Sequence, residues 1–261
     1  MEVKDKARVI KSIGYNQHAM IRDILDLHCG GKGIDLDITY SVGNFYGHFK
    51  VKDDDGSIRE FDIEEPKLKF DVDPQVEGVE KLDPWGDWPV DDNSQDVVMV
   101  DLPFVVGPRD CASMFNGNEN SNRIGKRFSS YYPRQEMFDS YEHHIKNAYR
   151  VLKDGGILIW KCQATVSGSI QLMTPYYSCR VAEDTGFYIK DEFVLLAKQR
   201  LISGKVNKQQ HARKFHSYFY VFQKGNPKRL KTGYWDRDYK RGVDRTPKIS
   251  DVVTVLSENE S

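Results

Sequence analysis

The sequence predicts a single α/β domain, and three observations carry that prediction. Residues 97–100 (Val-Val-Met-Val) and 157–160 (Ile-Leu-Ile-Trp) are continuous apolar runs, as expected of strands covered on both faces of a parallel sheet. Between them, residues 134–152 place Met137, Phe138, Tyr141, Ile145, Ala148, Tyr149 and Leu152 on one side of a helix, which makes a strand–helix–strand crossover. Residues 193–197 and 217–222 are strand-like with no helical pattern between them, so this last pair is free to run antiparallel.

Each element follows in order. Residues 16–28 form a helix with Met20, Ile21, Ile24, Leu25 and Leu27 on its apolar face, broken by Gly30-Gly31-Lys32-Gly33. Residues 34–38 are a short strand ending in the polar turn 39–43. Residues 45–65 are polar, with a turn at Asp55-Gly56. Strands at 68–70 and 79–82 are stopped by Asp71-Val72-Asp73-Pro74 and by Asp83-Pro84. Residues 105–133 form a long loop rich in Gly, Asn and Ser, of a length that usually serves function or is disordered. Lys153-Asp154-Gly155-Gly156 caps the helix before residues 157–160. A helix at 174–185 is stopped by Gly186. Residues 1–230 are expected as the folded domain, with the 105–133 loop as a lid, and the polar stretch 231–261 as a loose tail.

Composition bounds the function classes. At 261 residues, with 39% hydrophobic and 30% charged, the chain suits one globular domain with a full core. No apolar run approaches the roughly 20 residues of a membrane helix, and the first residues lack the apolar core of a secretion signal. Cys29, Cys111, Cys162 and Cys179 are scattered, with no C-x-x-C pair and no zinc spacing. A cytoplasmic protein with reduced thiols and no metal is expected. His143 and His144 are neighbours on a helix, point about 100° apart and cannot chelate together; both are expected at the surface. The net charge is -1, yet no Asp or Glu occurs from Phe193 to Trp235, where ten Lys and Arg lie. Such a segment either follows a polyanion backbone or is a solvated basic face.

The polar strand ends carry the chemistry. Gly30–Gly33 precedes its strand and lacks phosphate-loop spacing, so it is a turn. Asp37, Thr39, Ser41, Gly43 and Phe45 follow the first strand, where an acid binds an amine or a ribose and a glycine admits close backbone approach. Asp71 stands where nucleotide folds hold ribose hydroxyls, and Asp83 is placed for an adenine edge. Asp101-Leu102-Pro103-Phe104 is the sharpest element. Its carboxylate and the Leu102 carbonyl are two acceptors for one amino group, Pro103 stiffens the turn, and Phe104 offers a flat face for a base.

Taken together, these segments resemble class I S-adenosylmethionine-dependent methyltransferases, and among those the DNA amino-methyltransferases of phage and bacteria. Residues 37–45 are similar to the cofactor motif, Asp71–Pro74 to the acidic second-strand end, Asp101–Phe104 to the D-P-P-[YFW] motif, 149–160 to the strand after the catalytic helix, and 208–219 to the last hairpin. Leu102 departs from the usual Pro, and the cofactor segment lacks the usual multiple glycines. The resemblance implies a Rossmann-like sheet of about seven strands, mostly parallel with the last antiparallel. It implies S-adenosylmethionine as cofactor, bound by Asp37, Thr39, Ser41, Gly43, Phe45, Asp71 and Asp83. It implies methylation of an exocyclic amino group of a DNA base, adenine N6 in preference to cytosine N4 because the motif begins with Asp. The target base would be flipped out onto Phe104, and Arg123, Lys126, Arg127, Lys208, Arg213 and Lys214 would grip phosphates. An RNA base methyltransferase and a catalytically silent nucleic-acid-binding relative are the alternatives.

Overall fold

The computed structural model describes residues 9–52, 56–106, 131, 133–198 and 210–225. The elements, in chain order, are β1 (Ile13–Gly14), α1 (Gln17–His28), β2 (Leu36–Asp37), β3 (Gly47–Lys52), β4 (Ile58–Ile63), β5 (Leu68–Asp71), β6 (Glu80–Lys81), β7 (Gln95–Val100), α2 (Arg134–Val151), β8 (Leu152–Cys162), β9 (Thr165–Ser167), β10 (Ile170–Leu172), α3 (Thr174–Thr185), β11 (Phe187–Leu196) and β12 (His216–Lys224). The main sheet has eight strands in the order β1-β11-β12-β8-β7-β2-β5-β6. Every neighbouring pair is parallel except those of β12, which is antiparallel to both β11 and β8. This is the expected Rossmann-like α/β sheet, mostly parallel with its last strand reversed, plus the two-residue β1 on one edge.

Alternation along the central strands explains why they read as unbroken apolar runs. Val98 and Val100 of β7, Leu158 and Trp160 of β8 and Phe222 of β12 pack with Met137, Tyr141 and Ile145 of α2 and Ala182 of α3. Val97, Met99, Ile157, Ile159, Phe219 and Val221 point the other way, onto Met20, Ile21, Ile24 and Leu25 of α1. Both faces are covered, so both residue parities are apolar. Asn16 caps α1 by accepting from the amides of His18 and Ala19, and Gly186 ends α3 in the left-handed conformation.

Three expectations are corrected. Residues 45–65 are not simply a polar stretch: β3 and β4, six residues each, pair antiparallel, with Val51 and Ile63 buried and the remaining positions more exposed; Asp55 of the expected turn lies outside the described residues. The pair's polar reading comes from one solvated face. It stands between β2 and β5, where a crossover helix would be usual. Second, Lys153–Gly156 do not cap α2. The helix ends at Val151, and β8 begins at once. Gln95 pairs with Leu152 but Val97 with Ile157, so residues 153–156 bulge from the ladder. Gly156 is required there, since a Cβ would lie 2.9 Å from the Lys153 carbonyl and 3.1 Å from that of Asp96. Third, His144 is buried, not at the surface. Its Nδ1 accepts from the Trp88 indole N–H at 3.1 Å, and burial, with His143 adding, pushes its pKa down to about 3. The neutral imidazole is a core acceptor for an otherwise unpaired indole. Among the described residues no helix is long and apolar enough to cross a membrane.

Candidate active site at the carboxyl ends of the strands

Strands β6, β5, β2, β7 and β8 are mutually parallel in that order, so the residues that follow each of them share one edge of the sheet. That edge collects Asp83, Asp71, the 37–45 turn, Asp101 and Lys161, and in doubly wound sheets it is where ligands bind.

Asp37 is the hub. It has no exposed surface. The Tyr46 hydroxyl donates to Oδ2 at 2.6 Å, and the Thr39 amide and hydroxyl donate to Oδ1 at 2.8 and 3.0 Å. Burial raises its pKa to about 6 against the pull of these donors, and the Asp101 charge adds to the rise. Buried in this way, Asp37 shapes the turn from behind. The Thr39 hydroxyl also accepts from the Asp101 backbone N–H at 2.9 Å. One side chain thus ties the end of β2 to the end of β7.

The turn continues into the neighbouring strand. Ser41 and Gly43 are both left-handed, with φ 53° and 71°. The Ser41 amide donates to Asp71 Oδ2 at 2.8 Å, and the Asp73 amide to Oδ1 at 2.9 Å. Burial is the largest influence on Asp71 and raises its pKa, with these amides opposing. A carboxylate has about four acceptor sites, more than its backbone donors fill, so Asp71 retains capacity for hydroxyl groups. Gly43 has a local reason: a Cβ there would sit 2.4 Å from the Tyr40 hydroxyl oxygen. Tyr40 stacks on Tyr46 with centroids 5.4 Å apart and ring planes nearly parallel. Asp83 is exposed beyond β6 and accepts from the Trp85 amide at 3.0 Å.

The Asp101 turn is held from three sides. Lys161, near the end of β8, places its ammonium 2.7 Å from Asp101 Oδ2. The same ammonium faces the rings of Phe45 and Phe219 at 5.1 and 5.7 Å. The Leu102 side chain is buried in the core cluster that contains Met137 and Tyr141, which accounts for an aliphatic residue at this position. The Pro103 carbonyl accepts from the Tyr141 hydroxyl at 3.1 Å. Phe104 is half-buried and has no aromatic partner among the described residues.

The structure therefore brings Asp37, Thr39 and Asp101 into one hydrogen-bonded group, with Phe45 reached through the Lys161 ammonium and Ser41 and Asp71 beside it. Asp83 stands apart at the far strand. Arg213 is exposed, and the Lys214 carbonyl accepts from the Gln163 side chain at 3.3 Å, so residues 213–214 lie against the end of β8. Arg123, Lys126, Arg127, Lys208, most of the 105–133 loop and the 231–261 tail lie outside the described residues. A groove of about 240 Å³ opens on the same edge between Tyr15, Gln17, Gln163, His216 and Ser217. Sequence reasoning missed Lys161, Tyr46 and Tyr141. Lys161 had a signal, being the charged residue directly after the apolar run 157–160.

No protein-family model matches this chain, and no curated protein matches it. Among solved structures it is similar to a Thermus thermophilus protein described as a DNA modification methylase, at 12% identity over 59% of this chain and 58% of that one, with a TM-score of 0.34. The cytosine-N4-specific PvuII DNA methyltransferase aligns at 16% identity over 52% and 44%, TM-score 0.37. A Thermotoga maritima S-adenosylmethionine-dependent methyltransferase aligns at 15% identity over 80% and 90%, TM-score 0.36. The chain spans less than three fifths of the length of the first two. The fold assignment rests on the strand order and its one reversed strand.

Proposed function

We propose that this chain transfers a methyl group from S-adenosylmethionine to an exocyclic amino nitrogen of a DNA base, adenine N6 in preference to cytosine N4. The observation that carries the reading is the Thr39 bridge. It fixes Asp101, the amino-group acceptor, to the turn that precedes the Asp71 carboxylate, so a nucleoside site and an amino site adjoin on one sheet edge. The residues present fit the cofactor: Asp71 has spare acceptor sites for ribose hydroxyls, and Asp83 lies exposed one strand further out. When bound, S-adenosylmethionine supplies an activated methyl group on a sulfonium.

The chain supplies position. Asp101 and the Leu102 carbonyl hold the amino group so that its lone pair faces the donor, and Phe104 stacks on the base. Holding both reactants in register removes much of the entropic barrier. Tyr141 and Lys161 keep the turn from moving. Arg213 and Lys214 contact phosphates, which position the duplex without reading its sequence.

Incubation with radiolabelled S-adenosylmethionine and unmethylated genomic DNA, followed by nucleoside analysis, tests this directly. N6-methyladenine is the expected product. Label in structured RNA alone would transfer the reading to RNA, and failure to bind the cofactor would end it. One observation favours a silent binding protein: the Lys161 ammonium, 2.7 Å from Asp101 Oδ2, competes with a substrate amino group for that carboxylate. Cofactor binding with no methylated base would support that second reading.

A further inference from the structure

We infer that the groove between Tyr15, Gln163 and His216 is a subsite for the nucleotide that adjoins the reacting one in the substrate strand; this rests on the substrate being a nucleic acid. The groove stands where four strands meet the active edge. Leu196 ends β11, His216 and Ser217 open β12, Gln163 follows β8, and Tyr15 and Gln17 follow β1. β12 runs against its neighbours, so its first residues lie where those strands end. The Ala197 amide donates to the Phe215 carbonyl at 2.8 Å and closes β11 against β12. On the outer side the Val194 amide donates to the Ser12 carbonyl at 2.7 Å and holds the two-residue β1 in place. Asn16 then caps α1, so Tyr15 is fixed between a strand and a helix cap.

Position and size separate this groove from the cofactor side. β12 lies two strands from β7 and four from β5, which at about 4.8 Å per strand puts it about 10 Å from the Asp101 end and about 19 Å from the Asp71 end. The volume, about 240 Å³, is below the roughly 300–1,000 Å³ of pockets for drug-sized ligands. It suits one base-sized ring and not a whole cofactor.

The lining identifies the occupant. Tyr15 is 58% exposed, and the Lys198 ammonium stands 5.6 Å from its ring. An exposed aromatic ring is a stacking platform for any base. Leu196 adds an aliphatic surface, and the Gln17 amide offers a donor and an acceptor to a base edge. Gln163 is a fixed wall: its side chain donates to the Lys214 carbonyl at 3.3 Å, and its own carbonyl accepts from the Thr174 hydroxyl at 2.6 Å. No described lining residue is a carboxylate. The segments that supply the groove, residues 6–22, 155–182 and 193–235, contain no Asp or Glu, although the chain holds 39. Lys198 and Arg213 are exposed and form no ion pair among the described residues. A flat, hydrogen-bonding ring that carries negative charge meets all of these features, and a nucleotide is such a ligand.

The test follows, by fluorescence anisotropy, the binding of a labelled single-stranded oligodeoxynucleotide with one central adenine. The full chain is compared with Tyr15→Ala and Tyr15→Phe, and an abasic residue is moved through the positions on either side of the adenine. Wild type is expected to lose about tenfold in affinity at one flanking position, the loss of one stacked base. Tyr15→Ala should bind the complete strand about tenfold more weakly and lose nothing further at that position, while Tyr15→Phe keeps the wild-type pattern; such coupling reports direct contact. Losses that simply multiply at every position overturn the subsite, as does a wild type that binds no strand. Adenosine monophosphate bound by wild type and not by Tyr15→Ala, without that coupling, assigns the groove to a free nucleotide and also overturns it. Coupling in a chain that methylates no base keeps the subsite and removes the proposed methyl transfer. Methyl transfer without coupling removes the subsite and leaves the proposed function standing.

Discussion

Replacing Lys161 by Met isolates the contact that fixes Asp101. The two side chains are 14% and 21% exposed and 2.7 Å apart. At an effective dielectric of about 20, charges at that separation attract by about 6 kcal/mol. Desolvation of two mostly covered groups offsets more than half of this, leaving about 2 kcal/mol, to which the Phe45 and Phe219 rings add a fraction. Lys161→Met should therefore destabilise the fold by about 2–3 kcal/mol at pH 7, because Asp101 is left covered and unpaired. Urea unfolding followed by circular dichroism gives the value by linear extrapolation. A double-mutant cycle with Asp101→Asn should return a coupling of about 2 kcal/mol. Methyl transfer should fall at least tenfold in kcat with Lys161→Met and recover in part with Lys161→Arg. A loss below about 0.5 kcal/mol together with zero coupling would refute the account of how the turn is held.

Four other outcomes follow from the same geometry. Asp37 has a folded pKa of about 6 against 3.8 ordinarily, so the native state holds the proton more tightly; its contribution is most favourable below about pH 4 and is lost as pH rises to about 6. At 1.36 kcal/mol per pH unit the loss is about 3 kcal/mol, and the stability gap between wild type and Asp37→Asn should move by that amount between pH 3 and pH 7; a flat gap contradicts it. Thr39→Val leaves the Asp101 amide unpaired and removes a donor from Asp37, so it should cost about 1–3 kcal/mol in urea titration and lower kcat more than it raises KM. Gly43→Ala places a methyl against the Tyr40 hydroxyl at positive φ; a loss of about 2 kcal/mol is expected by thermal unfolding. Leu102→Pro removes a buried side chain and should cost about 2–4 kcal/mol without raising activity; a gain in methyl transfer would show that this turn is held too loosely.

The fold was legible where burial is two-sided. Val97–Val100 and Ile157–Trp160 announce themselves because neither parity touches water, and α2 does so because its apolar positions recur at helical spacing. The β3–β4 hairpin was harder. Phe49, Val51, Phe61 and Ile63 do alternate with charged residues, but the charges dominate the composition of the stretch. The strand-end acids were visible as residues, whereas their roles were not. Asp37 and Asp101 differ only in what surrounds them: the first is sealed under Tyr46, and the second is paired with Lys161. Thr39 and Asp101 are 62 positions apart and Asp101 and Lys161 are 60 apart. No local pattern records a bond of that span. Only the strand order β8-β7-β2 makes these residues neighbours.

The Thr39 hydroxyl has one more consequence. It donates to Asp37 while accepting from the Asp101 amide, so its proton cannot be turned toward an incoming molecule without releasing Asp37. Whatever stiffens residues 39–43 must stiffen residue 101 as well, and thermodynamic reciprocity requires the converse. The two sides of β2 are thereby linked through a single oxygen.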